Sequence, residues 1–206
     1  IGVRGFKHEK NESWEDNFKN ILHSLDKLIK SGKIRQVGLS NENPWGVMRF
    51  LEESKNNLPR MITIQNPYSL LNRQFEVGNA EVSMRENIGL LAYSPLGCGV
   101  LSGKYIQKKD EENSRLNLFK RFVRYSSKQS TEATIRYLEI AQRNNLSLTQ
   151  MALAFINQQP FVTSNIIGAT NLEQLKENID SVQIELKSET LKEIEKVHEL
   201  IPDPAT

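Results

Sequence analysis

Four short apolar runs, each set off from the next by a stretch of helical periodicity, constrain this chain of 206 residues more than any other feature. The runs are Ile34–Ser40, Met61–Gln65, Ile88–Ser94 and Asn165–Gly168. Ahead of the first, Phe18, Ile21, Leu22, Leu25, Leu28 and Ile29 recur at three- and four-residue spacing, which predicts a helix capped by Ser13 and stopped at Gly32. Asn43 followed by Pro44 starts the next helix, since Asn can cap free amides and Pro fits a first turn; Met48, Leu51 and Leu58 carry it on. Further helices are predicted over Phe75–Arg85, Thr131–Asn144 and Leu148–Gln158, from Asn171 through Ile179, and along Leu191, Ile194, Val197 and Leu200. Strands alternating with helices are joined by right-handed crossovers, so the expected class is α/β with a parallel sheet. Uniformly apolar runs suit strands buried on both faces. Residues 1–13 read as a loop, 96–129 as a long segment with little periodicity, and 188–206 as a terminal helix and tail.

Composition narrows the function. Lys and Arg number 27 against 25 Asp and Glu, with no long run of one sign, so the chain has no global footprint for nucleic acid or an anionic membrane. The longest apolar-leaning stretch, 88–101, is broken by Gly89, Ser94, Pro95, Gly97 and Gly99 and falls short of the roughly 20 apolar residues that span a bilayer. One cysteine, Cys98, cannot form an intramolecular disulfide and suits a reducing, cytoplasmic setting. His8, His23 and His198 have no ligand spacing, so no metal site is expected, and no Gly-x-Ser-x-Gly elbow occurs. The opening Ile1-Gly2-Val3-Arg4 lacks an initiator Met and reads as the middle of a longer polypeptide.

Ligands of parallel α/β folds sit at the carboxyl ends of the strands. Those ends read Ser40-Asn41, Gln65-Asn66, Tyr93-Ser94-Pro95-Leu96 and Gly168-Ala169-Thr170-Asn171. Any one Ser or Asn there could simply cap the next helix; four polar ends together point to a shared site. Gly97-Cys98-Gly99 with Gly103 misses the dinucleotide fingerprint by one residue. Lys104 and Arg115 lie in the same long segment, where Lys120, Arg121, Arg124 and Lys128 alternate with Phe119, Phe122 and Tyr125. That alternation suits single-stranded nucleic acid, a nucleotide phosphate, or a solvated face with its aromatics turned inward; the near-neutral charge favours a small phosphorylated ligand over a polymer.

Four segments carry a more specific signal: Gly32 to Asn41 (GKIRQVGLSN), Gln65 to Leu71 (QNPYSLL), Leu91 to Gly97 (LAYSPLG) through Ser102-Gly103-Lys104-Tyr105, and Ile167 to Asn171 (IGATN) through Gln174 to Asn178 (QLKEN). In order and spacing they resemble the aldo-keto reductases, in the Tas-like bacterial branch related to the potassium-channel beta subunits. The resemblance implies a (β/α)8 TIM barrel, of which this chain supplies the C-terminal half, strands five to eight of a single domain. It also implies NADP(H) bound in extended form and the reduction of aldehydes or ketones, small carbonyl substrates. By that likeness Ser40, Asn41 and Gln65 would contact the nicotinamide carboxamide, and Tyr93 would stack on the ring. Ser94, Pro95, Leu96 and Gly97 would line the pyrophosphate under the long cofactor-covering loop. Lys104 and Arg115 would meet phosphate oxygens, Arg115 at the adenosine 2′-phosphate, and Gly168, Thr170, Gln174, Glu177 and Asn178 would hold the adenosine end. The family's catalytic Asp, Tyr, Lys and His lie on earlier strands, so no catalytic residue carries over, and the chain alone is expected to be inactive. Its expected partner is an N-terminal half-barrel, in the same polypeptide or a companion chain. The alternative is a non-catalytic nucleotide-sensing or partner-binding module.

Overall fold

The structure, a computed structural model, describes residues 16–107, 116 and 124–205. The expected loop at 1–13, the Ser13 cap, Arg115 and the stretch Phe119–Phe122 lie outside them. Helix α1, Phe18–Lys30, buries Leu22, ends on Lys27 and Lys30 near its negative dipole end, and leads to a turn at Gly32, where φ is +71°. It begins after Asn17, whose side chain makes no capping hydrogen bond. Strand β1, Val37–Ser40, is followed by α2, Pro44–Ser54. The start of α2 is as predicted: Asn43 Oδ1 accepts the Gly46 N–H at 2.9 Å, and Pro44 occupies the first turn.

Strand β2, Met61–Pro67, leads through a 3-10 turn at Gln74–Glu76 to α3, Asn79–Glu86. The single helix predicted over Phe75–Arg85 is thus two pieces, because Gly78 adopts φ +88° between them. Strand β3, Gly89–Tyr93, runs into a 3-10 segment, Gly97–Ser102. Helices α4, Lys128–Arg143, and α5, Leu148–Asn157, follow, opened by Ser127 and by a Ser147/Gln150 capping box. Strand β4 is Val162–Asn165, then come α6, Leu172–Asp180, with Asn171 accepting the Gln174 N–H as predicted, and α7, Ser188–Leu200.

The fourth strand corrects the sequence reading, which placed it at Asn165–Gly168. Pairing with β3 begins at Val162 and ends with the Ile166 N–H donating to the Ala92 carbonyl at 2.8 Å; beyond that the chain leaves the sheet. The polar Thr163-Ser164 pair hides this edge strand from an apolar-run criterion, and the apolar Ile166-Ile167 mimics one.

All four strands are parallel, in the order β1-β2-β3-β4. The register pairs Ser40 with Gln65, Gln65 with Leu91, and Ala92 with Asn165. One face of the sheet, carrying Val37, Leu39, Ile64, Leu90 and Ala92, is buried in a core with Val47, Phe50 and Leu51 of α2 and with α5. Helix α5 is buried along Leu148–Ile156 except Gln150, as expected of a helix that is apolar nearly all round. The other face carries Gly38, Ser40, Thr63, Gln65, Gly89, Leu91 and Tyr93 and is not covered by described residues. Strand–helix units in parallel array are the repeat of which a (β/α)8 barrel contains eight.

Candidate functional site

The carboxyl ends of β1, β2 and β3 bring Ser40, Asn41, Gln65 and Tyr93 together. Ser40 is the register partner of Gln65, and the Asn41 N–H donates to the Gln65 carbonyl at 2.9 Å. Asn41 takes a left-handed turn, φ +55°, a conformation its short amide side chain tolerates. That turn aims its amide across the sheet: Tyr93 Oη donates to Asn41 Oδ1 at 2.7 Å, and Asn41 Nδ2 donates to Ser40 Oγ at 3.2 Å. Three strand ends therefore present one hydrogen-bonded rim of amide, hydroxyl and phenol groups on the open face.

After β3 the backbone turns sharply through Ser94 at φ +56°, Gly97 at +52°, Cys98 at +57°, Gly99 at +90° and Gly103 at +78°. Gly97 packs so tightly that a Cβ would sit 3.1 Å from the Tyr125 ring. Tyr125 is buried, its hydroxyl shares a hydrogen bond with Ser94, and burial pushes its pKa up. Arg124 stacks on it at 4.8 Å. For this residue the aromatic is turned inward, which removes it as a stacking platform for nucleic acid. Lys104 folds back over Gly99 and sits 5.1 Å from the Tyr105 ring centroid, so its ammonium lies beside the glycine-rich turn that follows β3.

A second group forms where the chain leaves β4. Gln174 Oε1 accepts from both the N–H and the hydroxyl of Thr170 at 3.0 Å, and Asn178 Nδ2 donates to the Gly168 carbonyl at 3.1 Å. Glu177 differs from its predicted neighbours, because its carboxylate accepts from Ser147 Oγ at the start of α5. A polar chain that the sequence did not reveal supports this group from behind. Asn165 Nδ2 donates to Asn157 Oδ1 at 3.1 Å, Asn157 Nδ2 to Ser181 Oγ at 3.3 Å, and Ser181 Oγ to the Asn178 carbonyl at 2.6 Å. Three-residue and longer-range pairing of Asn and Ser has no one-dimensional signature, which is why only the topology exposes it.

Two other tyrosines are unsuited to proton chemistry. Tyr68 is fully buried and donates to Glu76 Oε1 at 2.6 Å; burial first, then the Glu76 charge, raises its pKa. Tyr137 is also fully buried, with no hydrogen-bond partner for its hydroxyl among the described residues, and burial raises its pKa as well. Beside them Arg73 makes two 2.7 Å hydrogen bonds to Glu76 and one of 2.8 Å to Glu195. Burial pulls the Arg73 pKa down, but the bonds and charges of the two glutamates outweigh it and raise it overall. Asp203 accepts the Arg73 N–H at 2.6 Å and the Ala205 N–H reaches the Leu71 carbonyl at 3.1 Å, so this cluster fastens the C-terminal tail. Among the described residues no group of three or more His, Cys, Asp and Glu is placed to hold a metal ion, and no helix is long and apolar enough to cross a membrane.

Parallel strands with a polar rim at their carboxyl ends and a left-handed, glycine-rich turn beside it define the ligand-site position of an α/β fold. Comparison with known proteins makes the class specific: the sequence profile of the aldo/keto reductase family matches residues 7–199, and the chain belongs to that family. It is 51% identical over 199 residues to Protein tas of Escherichia coli (strain K12), a match covering 94% of this chain and 58% of that protein. It is 38% identical over 165 residues to an aldo-keto reductase of Babesia bovis, 77% of this chain and 58% of the relative. It is 31% identical over 180 residues to L-glyceraldehyde 3-phosphate reductase of Escherichia coli (strain K12), 84% and 51%. The chain thus spans somewhat over half the length of these curated relatives.

Proposed function

We propose that these residues form the cofactor-binding, C-terminal half of a (β/α)8 barrel in an NADP(H)-dependent reductase that converts aldehydes or ketones to alcohols. The observation that carries the reading is the convergence of Ser40, Asn41, Gln65 and Tyr93 on one rim, tied by the 2.7 Å Tyr93–Asn41 hydrogen bond. The donors and acceptors suit a nicotinamide: the carboxamide of the ligand offers one acceptor and two donors, and Ser40, Asn41 and Gln65 offer both complements. Tyr93 supplies a flat face against which a ring can stack.

The reduced dinucleotide, when bound, supplies a hydride to the carbonyl carbon while a proton completes the alcohol. This chain's own part is binding and orientation. The carboxamide group at β1 and β2 fixes the ring's rotation, and Tyr93 covers one ring face and leaves the other to the substrate. Lys104, with Arg115, meets phosphate charge, and backbone N–H groups in the Ser94–Gly97 turn line the pyrophosphate. Gly168 and Thr170 ahead of α6, with Gln174, Glu177 and Asn178 along it, take the adenosine end, and the dipole at the helix start favours an anion there. Of these Glu177 is committed to Ser147 and would have to exchange that bond.

The proton source lies in residues that pair with this half. Two features support a complementary set of βα units, in the same polypeptide or a companion chain. The open face of the sheet has edge strands β1 and β4, and the helix that follows β4, α6, exposes Leu172 at 82%, Leu175 and Ile179, with Val182 exposed at 66% in the 3-10 turn after it. Trp45, Met48, Ile21 and Leu28 are exposed on α1 and α2, the helices that flank β1 in the chain.

A second reading, a nucleotide-sensing module without turnover, is favoured by the burial of Tyr68 and Tyr137, which keeps both phenols from any substrate. One experiment separates the two: NADPH consumption with a panel of aldehydes by the intact protein and by residues 1–206 alone. Turnover by the intact protein only supports the reductase reading. NADPH binding with no turnover by either favours the sensing module, and turnover by residues 1–206 alone refutes the claim that the catalytic groups lie elsewhere.

A further inference from the structure

The rim at Ser40 and Asn41 is held from behind by two asparagines that lie outside it. Asn66 Nδ2 and Asn79 Nδ2 donate to the same acceptor, the Glu42 carbonyl, at 3.0 and 3.1 Å. Both side chains are buried, and among the described residues the Oδ1 atom of each has no hydrogen-bond partner. A buried acceptor left unsatisfied is costly, and leaving two around one peptide group sacrifices stability to keep that peptide in place. The Glu42 carbonyl lies one residue beyond Asn41, so holding it fixes the exit from the left-handed Asn41 turn, φ +55°.

The rest of the turn is clamped in the same sense. Glu42 Oε1 accepts the Asn43 N–H at 2.9 Å, and its side chain fills the space that a Cβ on Gly46 would need, 2.3 Å away. Gly78, at φ +88°, brings the start of α3 against Pro44, where a Cβ would lie 2.9 Å from the proline ring, and so delivers Asn79 to the Glu42 carbonyl. Asn66 arrives from the sheet: it follows Gln65 on β2 and points to the helix side, while Gln65 points to the open face.

We infer that Asn66 and Asn79 are positioning residues for nicotinamide carboxamide recognition. They fix the Glu42 peptide, which fixes the Asn41 turn, which sets the Asn41 amide against Tyr93 and Ser40 at the height of Gln65. The inference rests on the proposed cofactor reading and deepens it. Neither asparagine touches the ligand.

The test compares NADP+ with its 3-acetylpyridine analogue, in which a methyl group replaces the carboxamide NH2, by calorimetric titration of the intact protein. The variants are Asn66→Val, which suits a strand and removes the orphaned acceptor together with the donor, and Asn79→Ala. Each variant is expected to weaken NADP+ about three- to tenfold, the worth of one net hydrogen bond, while the analogue changes less than about twofold, so the preference for NADP+ collapses. Asn66→Val is expected to keep its melting temperature while losing that preference, a split that a purely structural role does not produce. Equal weakening of both ligands, or an unchanged preference in folded variants, overturns the inference and leaves the cofactor reading standing. Failure of the unaltered protein to bind either dinucleotide overturns both. Should Asn66→Val fold poorly, Asn79→Ala alone decides, because it lies in the first turn of a surface helix.

Discussion

Replacing Gly89 by Ala tests how the open face of the sheet is built. A Cβ at Gly89 would lie 1.6 Å from Thr163 Oγ1 and 2.7 Å from Thr163 Cβ on the neighbouring strand. A side-chain rotation relieves the first contact but not the second, because the Thr Cβ is fixed to the backbone. Ordinary carbon contact needs about 3.5 Å, so the strands must separate by about 0.8 Å. That movement strains the β3–β4 hydrogen bonds, among them Leu90 N–H to the Phe161 carbonyl at 2.9 Å and Ile166 N–H to the Ala92 carbonyl at 2.8 Å. Overpacking of this kind costs about 2–3 kcal/mol, or about 5–10 °C in melting temperature for a domain of this size. Thr163→Gly removes the obstructing atoms at its own cost of about 1 kcal/mol. The double variant should therefore recover most of the loss, with a coupling of about 2 kcal/mol in a urea-denaturation double-mutant cycle on the intact protein. Additive effects, within about 0.5 kcal/mol, would refute the argument that Gly89 is required for strand approach. Between β1 and β2 the approach is also close: a Cβ at Gly38 would lie 2.3 Å from Thr63 Oγ1 and 3.0 Å from the Thr63 carbonyl oxygen.

Arg73→Ala leaves Glu76 and Glu195 without their cation; because both glutamates are partly exposed, the loss should be about 2–4 kcal/mol in chemical denaturation, and less than about 1 kcal/mol would mean that the cluster does not fasten the tail. Tyr137→Phe deletes a buried hydroxyl that has no partner among the described residues and is expected to be neutral or stabilising in thermal melts. Tyr68, Tyr125 and Tyr137 all have folded pKa values raised above the unfolded value near 10, so their contribution is complete below about pH 10 and is lost as pH rises further, by about 1.4 kcal/mol per pH unit for each. Tyr137→Phe should flatten that alkaline limb by one such increment, measured as denaturation midpoint against pH. Asn171→Ala removes the α6 cap and should cost about 1 kcal/mol in the same assay.

Much of the architecture was legible from local chemistry. Asn43-Pro44 and Asn171 open helices because their side chains satisfy free amides, and the first three apolar runs became neighbouring parallel strands because nothing but burial suits them. The fourth was misplaced, since an edge strand with the polar pair Thr163-Ser164 carries no apolar signal. The helix over Phe75–Arg85 failed at one residue, Gly78, whose positive φ serves a contact with Pro44 that only the fold creates. For the candidate site, Ser40, Asn41, Gln65 and Tyr93 were found by looking at strand ends, and the register brought them together. What supports the two groups was not legible: Asn66 and Asn79 reach the Glu42 carbonyl, and Asn157 reaches Ser181, across tens of residues, separations that follow from topology alone.

The central claim is that the rim of Ser40, Asn41, Gln65 and Tyr93 receives a nicotinamide, and a structure of the intact protein with NADP+ bound tests it most directly. The ring is expected to stack on Tyr93 with its carboxamide hydrogen-bonded to Ser40, Asn41 and Gln65 and its phosphates along Ser94–Gly97 and Lys104. A dinucleotide seated elsewhere, with the Tyr93–Asn41 hydrogen bond undisturbed and the rim in contact with solvent, would contradict it.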